Sequence, residues 1–228
     1  MTGSRDTLLL VAIFAAQVLV ASTMLEYRER TEPITIPPSY ETGLAVSLGD
    51  GEFFFRSSAL HLTNAGVSGG QTIPLKDLDF SRLQEWFFLL DRFDSRSNLI
   101  PVLAGYWFGF TQYRPDARYI IDYLLARAEN DPEQAWRWRL QAIYLAKHRV
   151  EDLDLALEIA EATAAINDPN APFFLKQMPA CVLEDMGEEE AALILLKTIM
   201  ATATDLPDDE ARFLQIAIDR MSSTQQDE

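Results

Sequence analysis

Side chains able to do covalent chemistry are few and scattered. The 228-residue chain holds two histidines, His61 and His148, and one cysteine, Cys181. A general base or a nucleophile works only with an activating partner at hydrogen-bond reach. His61 sits in the helical stretch "SALHLTN", and His148 sits beside Arg149 at the turn "AKHRVED". Nothing at useful spacing joins either to a serine, cysteine or carboxylate constellation. Cys181 follows a small residue, Ala180, and reads as a packed or groove-side thiol rather than a nucleophile. A lone cysteine excludes an intrachain disulfide, and with two histidines it excludes a zinc site of the cysteine–histidine type. The loop "AGVSGGQTIP" is glycine-rich but lacks Gly-Lys-Ser/Thr and a preceding apolar strand, so it is not a phosphate loop. "GEEEA" is the acidic first turn of a helix, suited to the positive end of the helix dipole, not a metal cluster. The expectation is a protein that is not an enzyme, with no cofactor, no metal and no small-molecule substrate.

What remains is scaffold. The chain is 48% hydrophobic, enough to bury a core and to exclude disorder of the main body. Its net charge of −16 is uneven: residues 184–228 hold twelve acids against Lys197, Arg212 and Arg220. Such a surface repels phosphate backbones, so nucleic acid is not an expected partner. It reads as a solubilising face or as a docking surface for a basic partner.

Residues 7–25, "TLLLVAIFAAQVLVASTML", carry no charge. As a helix they would be roughly 28 Å long at about 1.5 Å per residue, the thickness of a hydrocarbon core. Residues 1–6 form a short tail before this transmembrane anchor. Charges close both ends, with Tyr27 at interface depth. A cleaved signal peptide, cut after Ser22, is the competing reading. The charges do not settle which side of the membrane the following domain occupies. Residues 26–43 contain Pro33, Pro37 and Pro38 and read as an extended, proline-rich stalk.

From residue 44 to 221 the apolar pattern has helical period, and no convincing strand is visible. Four helical stretches end at Asp94, Asp131, Asp168 and Asp205, each 37 residues after the last. Small residues recur at Ala104, Ala142 and Ala180, 38 apart. Two helices of a hairpin approach closely only where small residues meet. A period of this length built from two helices marks a helical-hairpin solenoid. "DLPDDEARFLQIAIDRM" adds a helix that caps the open end, and residues 222–228 are a frayed tail. Pro179 should kink or restart the first helix of the last copy.

In its last copy, "ACVLEDMGEEEAALILL", the chain resembles the tetratricopeptide repeat (TPR) superfamily: Ala180, Leu183, Gly187, Ala192 and Leu196 fall at the family's small, large, glycine, alanine and large positions. The middle copy matches at Trp138, Ala142, Leu145 and Ala156 but lacks the turn glycine, and the first copy is degenerate. The resemblance implies an all-α, right-handed TPR-like solenoid behind the N-terminal transmembrane helix. It also implies that the first helix of each hairpin lines a concave face. Groove-facing candidates are then Asn98 and Phe108, then Trp136, Arg139 and Lys147, then Phe174, Gln177 and Glu184. Phe108, Trp136 and Phe174 form an apolar strip, with Arg139 and Lys147 supplying charge, unless the aromatics fill inter-repeat cores instead.

The functional expectation is a membrane-anchored scaffold or adaptor, single-pass in a bacterial inner membrane, that binds protein partners. A constitutive structural subunit of a large membrane complex, and an exported soluble protein with a cleaved signal, are the alternatives.

Overall fold

The structure, a computed structural model, describes residues 11–22, 34–68, 71–166, 171–203 and 206–224. Two compact units separate at Ile36 and Pro37. In the first, residues 11–22 form helix α1, and every residue of it is exposed, including Phe14 and Leu19 at 67% each. Residues 7–10 and 23–25, the flanks of the expected anchor, lie outside the described residues. Among the described residues no helix is long and apolar enough to cross a membrane.

Among its described residues, the second unit is helical apart from one minimal ladder. The expected stalk ends early: Ser39 caps helix α2 (Tyr40–Val46) by accepting the Thr42 amide at 3.1 Å. Gly43, placed in the stalk from sequence, is buried there, and a Cβ on it would meet Phe93 Cζ at 2.8 Å. Any larger residue there would force the Phe93 ring to move.

Four hairpins follow. The first pairs α3 (Gly51–Thr63) with α4 (Phe80–Phe93); Asp50 and Asp79 cap them by accepting the amides of Phe53 and Arg82. The glycine-rich connection contains a strand pair that sequence patterning does not reveal, β1 (Val67–Ser68) against β2 (Gln71–Thr72), with Val67 opposite Thr72. Gly66, at φ +82°, starts it, and its carbonyl accepts the Ile73 amide at 2.6 Å. The second hairpin is α5 (Leu99–Tyr106) and α6 (Ala117–Asn130). The third is α7 (Ala135–Leu145), a π-helical turn (Ala146–Val150) and α8 (Leu153–Ala164). The fourth is a 3-10 turn (Phe173–Gln177) running into α9 (Met178–Asp185), then α10 (Glu189–Thr202). Pro179 restarts the helix as expected, occupying its first turn, where a missing N–H costs nothing.

Each helix packs on its neighbours one or two places along the chain: α5 on α6 and α7, α6 on α7, α7 on α8, α8 on α9, α9 on α10. Ala104, Ala142 and Ala180 are each fully buried, as are Ala117, Ala156 and Ala192 on the second helices. Gly105 on α5 and Gly109 in the turn that follows it lie close against α7: an added Cβ would meet Gln141 Cγ at 2.8 Å and Leu145 Cδ2 at 2.9 Å. Helix α11 (Asp208–Thr224) closes the end, burying Leu214, Ile218 and Met221 against Leu193 and Leu196.

The helix ends hold the expected interval only at first. Asp94 and Asp131 are C-caps with nearly the same backbone, φ −147° and −136°. Helix α8 stops earlier, with Ala165 as its C-cap, and α10 with Ala203. The residue before a proline is pushed out of helical geometry, so α8 must end short of Pro169. Asp168 and Asp205 lie outside the described residues.

Where the middle copy lacks a turn glycine, Glu151 takes over the left-handed conformation, φ 61°, that Gly187 adopts at φ 80° in the last copy. The Asp152 amide then closes the turn on the Ala146 carbonyl at 3.0 Å, and the Glu188 amide does the same on Leu183 at 2.9 Å.

Candidate interaction face

Of the eight residues expected in a groove, two are in the core. Phe108 is fully buried, with its ring 5.7 Å from Phe87 and 6.4 Å from Phe80. Helix α5 ends at Tyr106, and the 3-10 turn Phe108–Phe110 that follows rotates Phe108 inward. Gln177 is 2% exposed and donates to Glu210 on α11 at 2.8 Å. It too lies in a 3-10 turn, so the helical phase assumed from the alanines does not apply.

The others reach the surface in part. Asn98 is exposed at the start of α5, and Trp136 and Phe174 are half-buried. Arg139 is half-buried with its Nε unpartnered. Lys147 and Glu184 are occupied internally: Lys147 pairs with Asp185, and Glu184 pairs with Arg220 at 2.7 Å. The apolar strip of Phe108, Trp136 and Phe174 does not form.

A different set comes together. On α5, Leu99, Val102 and Tyr106 share one side and are 45%, 43% and 58% exposed. Arg137, Leu140 and Tyr144 take the same side of α7, each 38 residues on, the interval that separates Ala104 from Ala142. Phe110 bridges the two helices, with its ring 6.2 Å from Tyr144. Tyr144 continues to the His148 ring at 4.7 Å. Arg149 lies over Phe110 at 5.1 Å and donates to the Phe110 and Thr111 carbonyls at 2.9 and 2.8 Å, which holds the turn after α5 against α7. Sequence reasoning passed over this set, although the Tyr106–Tyr144 interval repeats the alanine interval.

No family model, curated protein or solved structure matches this chain.

His61 is exposed on α3. Cys181 is half-buried, and burial pushes its thiol up from the ordinary value, away from the thiolate, with nearby Lys147 opposing. The strongest electrostatic feature lies elsewhere, between the first two hairpins. Arg127, 2% exposed at its side chain, reaches Asp131 at 3.0 Å, Asp91 at 3.8 Å and the Ser95 carbonyl. Burial raises the Asp91 carboxyl to about 6, against the pull of Arg127 and a hydrogen bond from Tyr123; Asp131 and Asp94 add to the rise. This cluster ties α4 to α6 and the turn between hairpins, and it is enclosed.

Proposed function

We propose that this chain is a membrane-anchored scaffold: a TPR-like, right-handed helical-hairpin solenoid, held at the bilayer by a single span over residues 7–25, that docks a protein partner. The open face of α5 and α7 carries the reading. It collects Leu99, Val102, Tyr106, Phe110 and Tyr144 at 39% to 58% exposure for the five named apolar side chains other than Leu140. Exposed aromatics grouped this way, beside arginine, have the composition of binding hot spots. The packing of each hairpin on the next, with fully buried alanines at one-repeat spacing, supports the solenoid. An apolar helix exposed along all of residues 11–22 supports the anchor, because apolar surface of that extent is unfavourable in water.

Purifying the full chain in mild detergent tests this. A stoichiometric protein should accompany it and should be lost on combining Tyr106→Ala with Tyr144→Ala; a chain that purifies alone would contradict the proposal.

A second reading, a constitutive subunit of a large membrane complex, is favoured by the exposed small residues Ala12, Ala15 and Ala16 on α1. Small residues of that spacing let spans pack closely. Exchanging residues 7–25 for an unrelated span separates the two: a scaffold keeps its partner, and a subunit loses it.

A further inference from the structure

The face formed by α5 and α7 is electrostatically opposite to the rest of the chain. The protein carries a net charge of −16, yet residues 135–150 contain Arg137, Arg139, Lys147 and Arg149 and no acid. Residues 97–115, which include all of α5, add Arg114 and again no acid. Two of these five cations are spent within the protein, Lys147 on Asp185 and Arg114 on Glu151. The other three have no carboxylate partner among the described residues. Arg137 is exposed, with its guanidinium 5.1 Å from the Trp136 ring. Among the described residues, Arg149 is bound by backbone carbonyls and the Phe110 ring. Arg139 lies on the other side of α7 from Arg137 and Tyr144, with its Nε buried.

Some cations of this chain pair across one repeat. Arg118 meets Asp152 at 2.8 Å, and Arg220 meets Glu184 at 2.7 Å. Arg92, Arg96 and Arg212 likewise meet no carboxylate among the described residues; what sets this face apart is that its arginines sit on acid-free segments beside the exposed Leu99, Val102, Tyr106 and Tyr144.

Resting on the scaffold reading above, we infer that this face takes an acidic, apolar-anchored protein segment. Two apolar side chains of the segment seat on Val102, Tyr106 and Tyr144, and flanking carboxylates meet Arg137 and Arg149. Planar guanidinium groups suit carboxylates in bidentate geometry. An anionic bilayer offers the same charge but is disfavoured: it would confront a chain of net charge −16, whereas a narrow segment meets only this face.

The test uses the full chain in detergent and a short fluorescein-labelled peptide of Asp, Glu, Leu and Phe. The peptide is acetylated and amidated, so that neither terminus is charged. The acidic peptide should bind, and its Asn/Gln counterpart should bind at least about tenfold more weakly. Affinity should fall as salt rises. Arg137→Glu and Tyr144→Ala should each weaken binding by about tenfold with an unchanged melting temperature, and Arg212→Glu on α11 should leave it as it was. Equal binding of the neutral peptide, or indifference to Arg137→Glu, would overturn the inference. So would capture of phosphatidylglycerol vesicles by the chain with no binding of the acidic peptide. If the peptide fails while the detergent-purified chain still carries a Tyr144-dependent partner, this inference falls and the scaffold reading stands. If no such partner exists, the scaffold reading itself falls.

Discussion

The Tyr123 hydroxyl donates to Asp91 at 2.9 Å, joining helices α6 and α4 across 32 residues of sequence. The carboxylate it meets is mostly buried, with Arg127 at 3.8 Å and no partner for its second oxygen among the described residues. Its folded pKa of about 6 lies above the ordinary 3.8, so the folded state holds the proton more tightly than the unfolded state does. The destabilisation from burying the charge is therefore full above about pH 6 and fades as pH falls toward the unfolded value. Asp91→Asn, which cannot ionise, should gain stability relative to wild type as pH rises, by about 1.5 kcal/mol between pH 5 and pH 7.5. Urea unfolding of both proteins at the two pH values measures it; a difference that does not change with pH would show that Asp91 is not strained by burial.

Turn geometry makes a second prediction. Glu151 sits at φ 61°, a conformation that costs a non-glycine residue about 1–2 kcal/mol. Its ion pair with Arg114 is more than half exposed on both sides and offsets little of that. Glu151→Gly should leave stability unchanged or raise it by up to about 1 kcal/mol, while Glu151→Val should lower it by about 1–2 kcal/mol. Thermal unfolding of the pair decides; equal loss in both would mean that the carboxylate, not the backbone, matters.

Neighbouring alanines on α10 give a third. Ala192 is fully buried and Ala191 is exposed. Ala192→Leu should cost about 1–3 kcal/mol by overpacking the hairpin contact, and Ala191→Leu should be near neutral. Equal effects would contradict the close approach of α9 and α10.

Residue size was the legible part of this fold. Close packing demands small side chains at fixed intervals, and Ala104, Ala142 and Ala180 display that demand in the sequence itself. Pro179 was legible for the same kind of reason, because its backbone constraint is local. Helical phase was not legible. Phe108 and Gln177 both follow the expected interval, but each sits in a 3-10 turn with three residues per turn, so each points into the core. The left-handed turn at Glu151 was hidden because glutamate carries no signal for it. The buried cluster around Arg127 was hidden too: arginine on an amphipathic helix reads as solvated until the partners from another hairpin are placed beside it.

The open face of α5 and α7 is the centre of the functional account, and its most direct test is site-specific photo-crosslinking of the full chain in intact membranes. A photoreactive residue replacing Tyr144 on this face should trap one protein reproducibly, and the same residue replacing Ile194, 58% exposed on α10, should not. Equal trapping from both positions, or trapping from Ile194 alone, would contradict the assignment of this face as the docking surface.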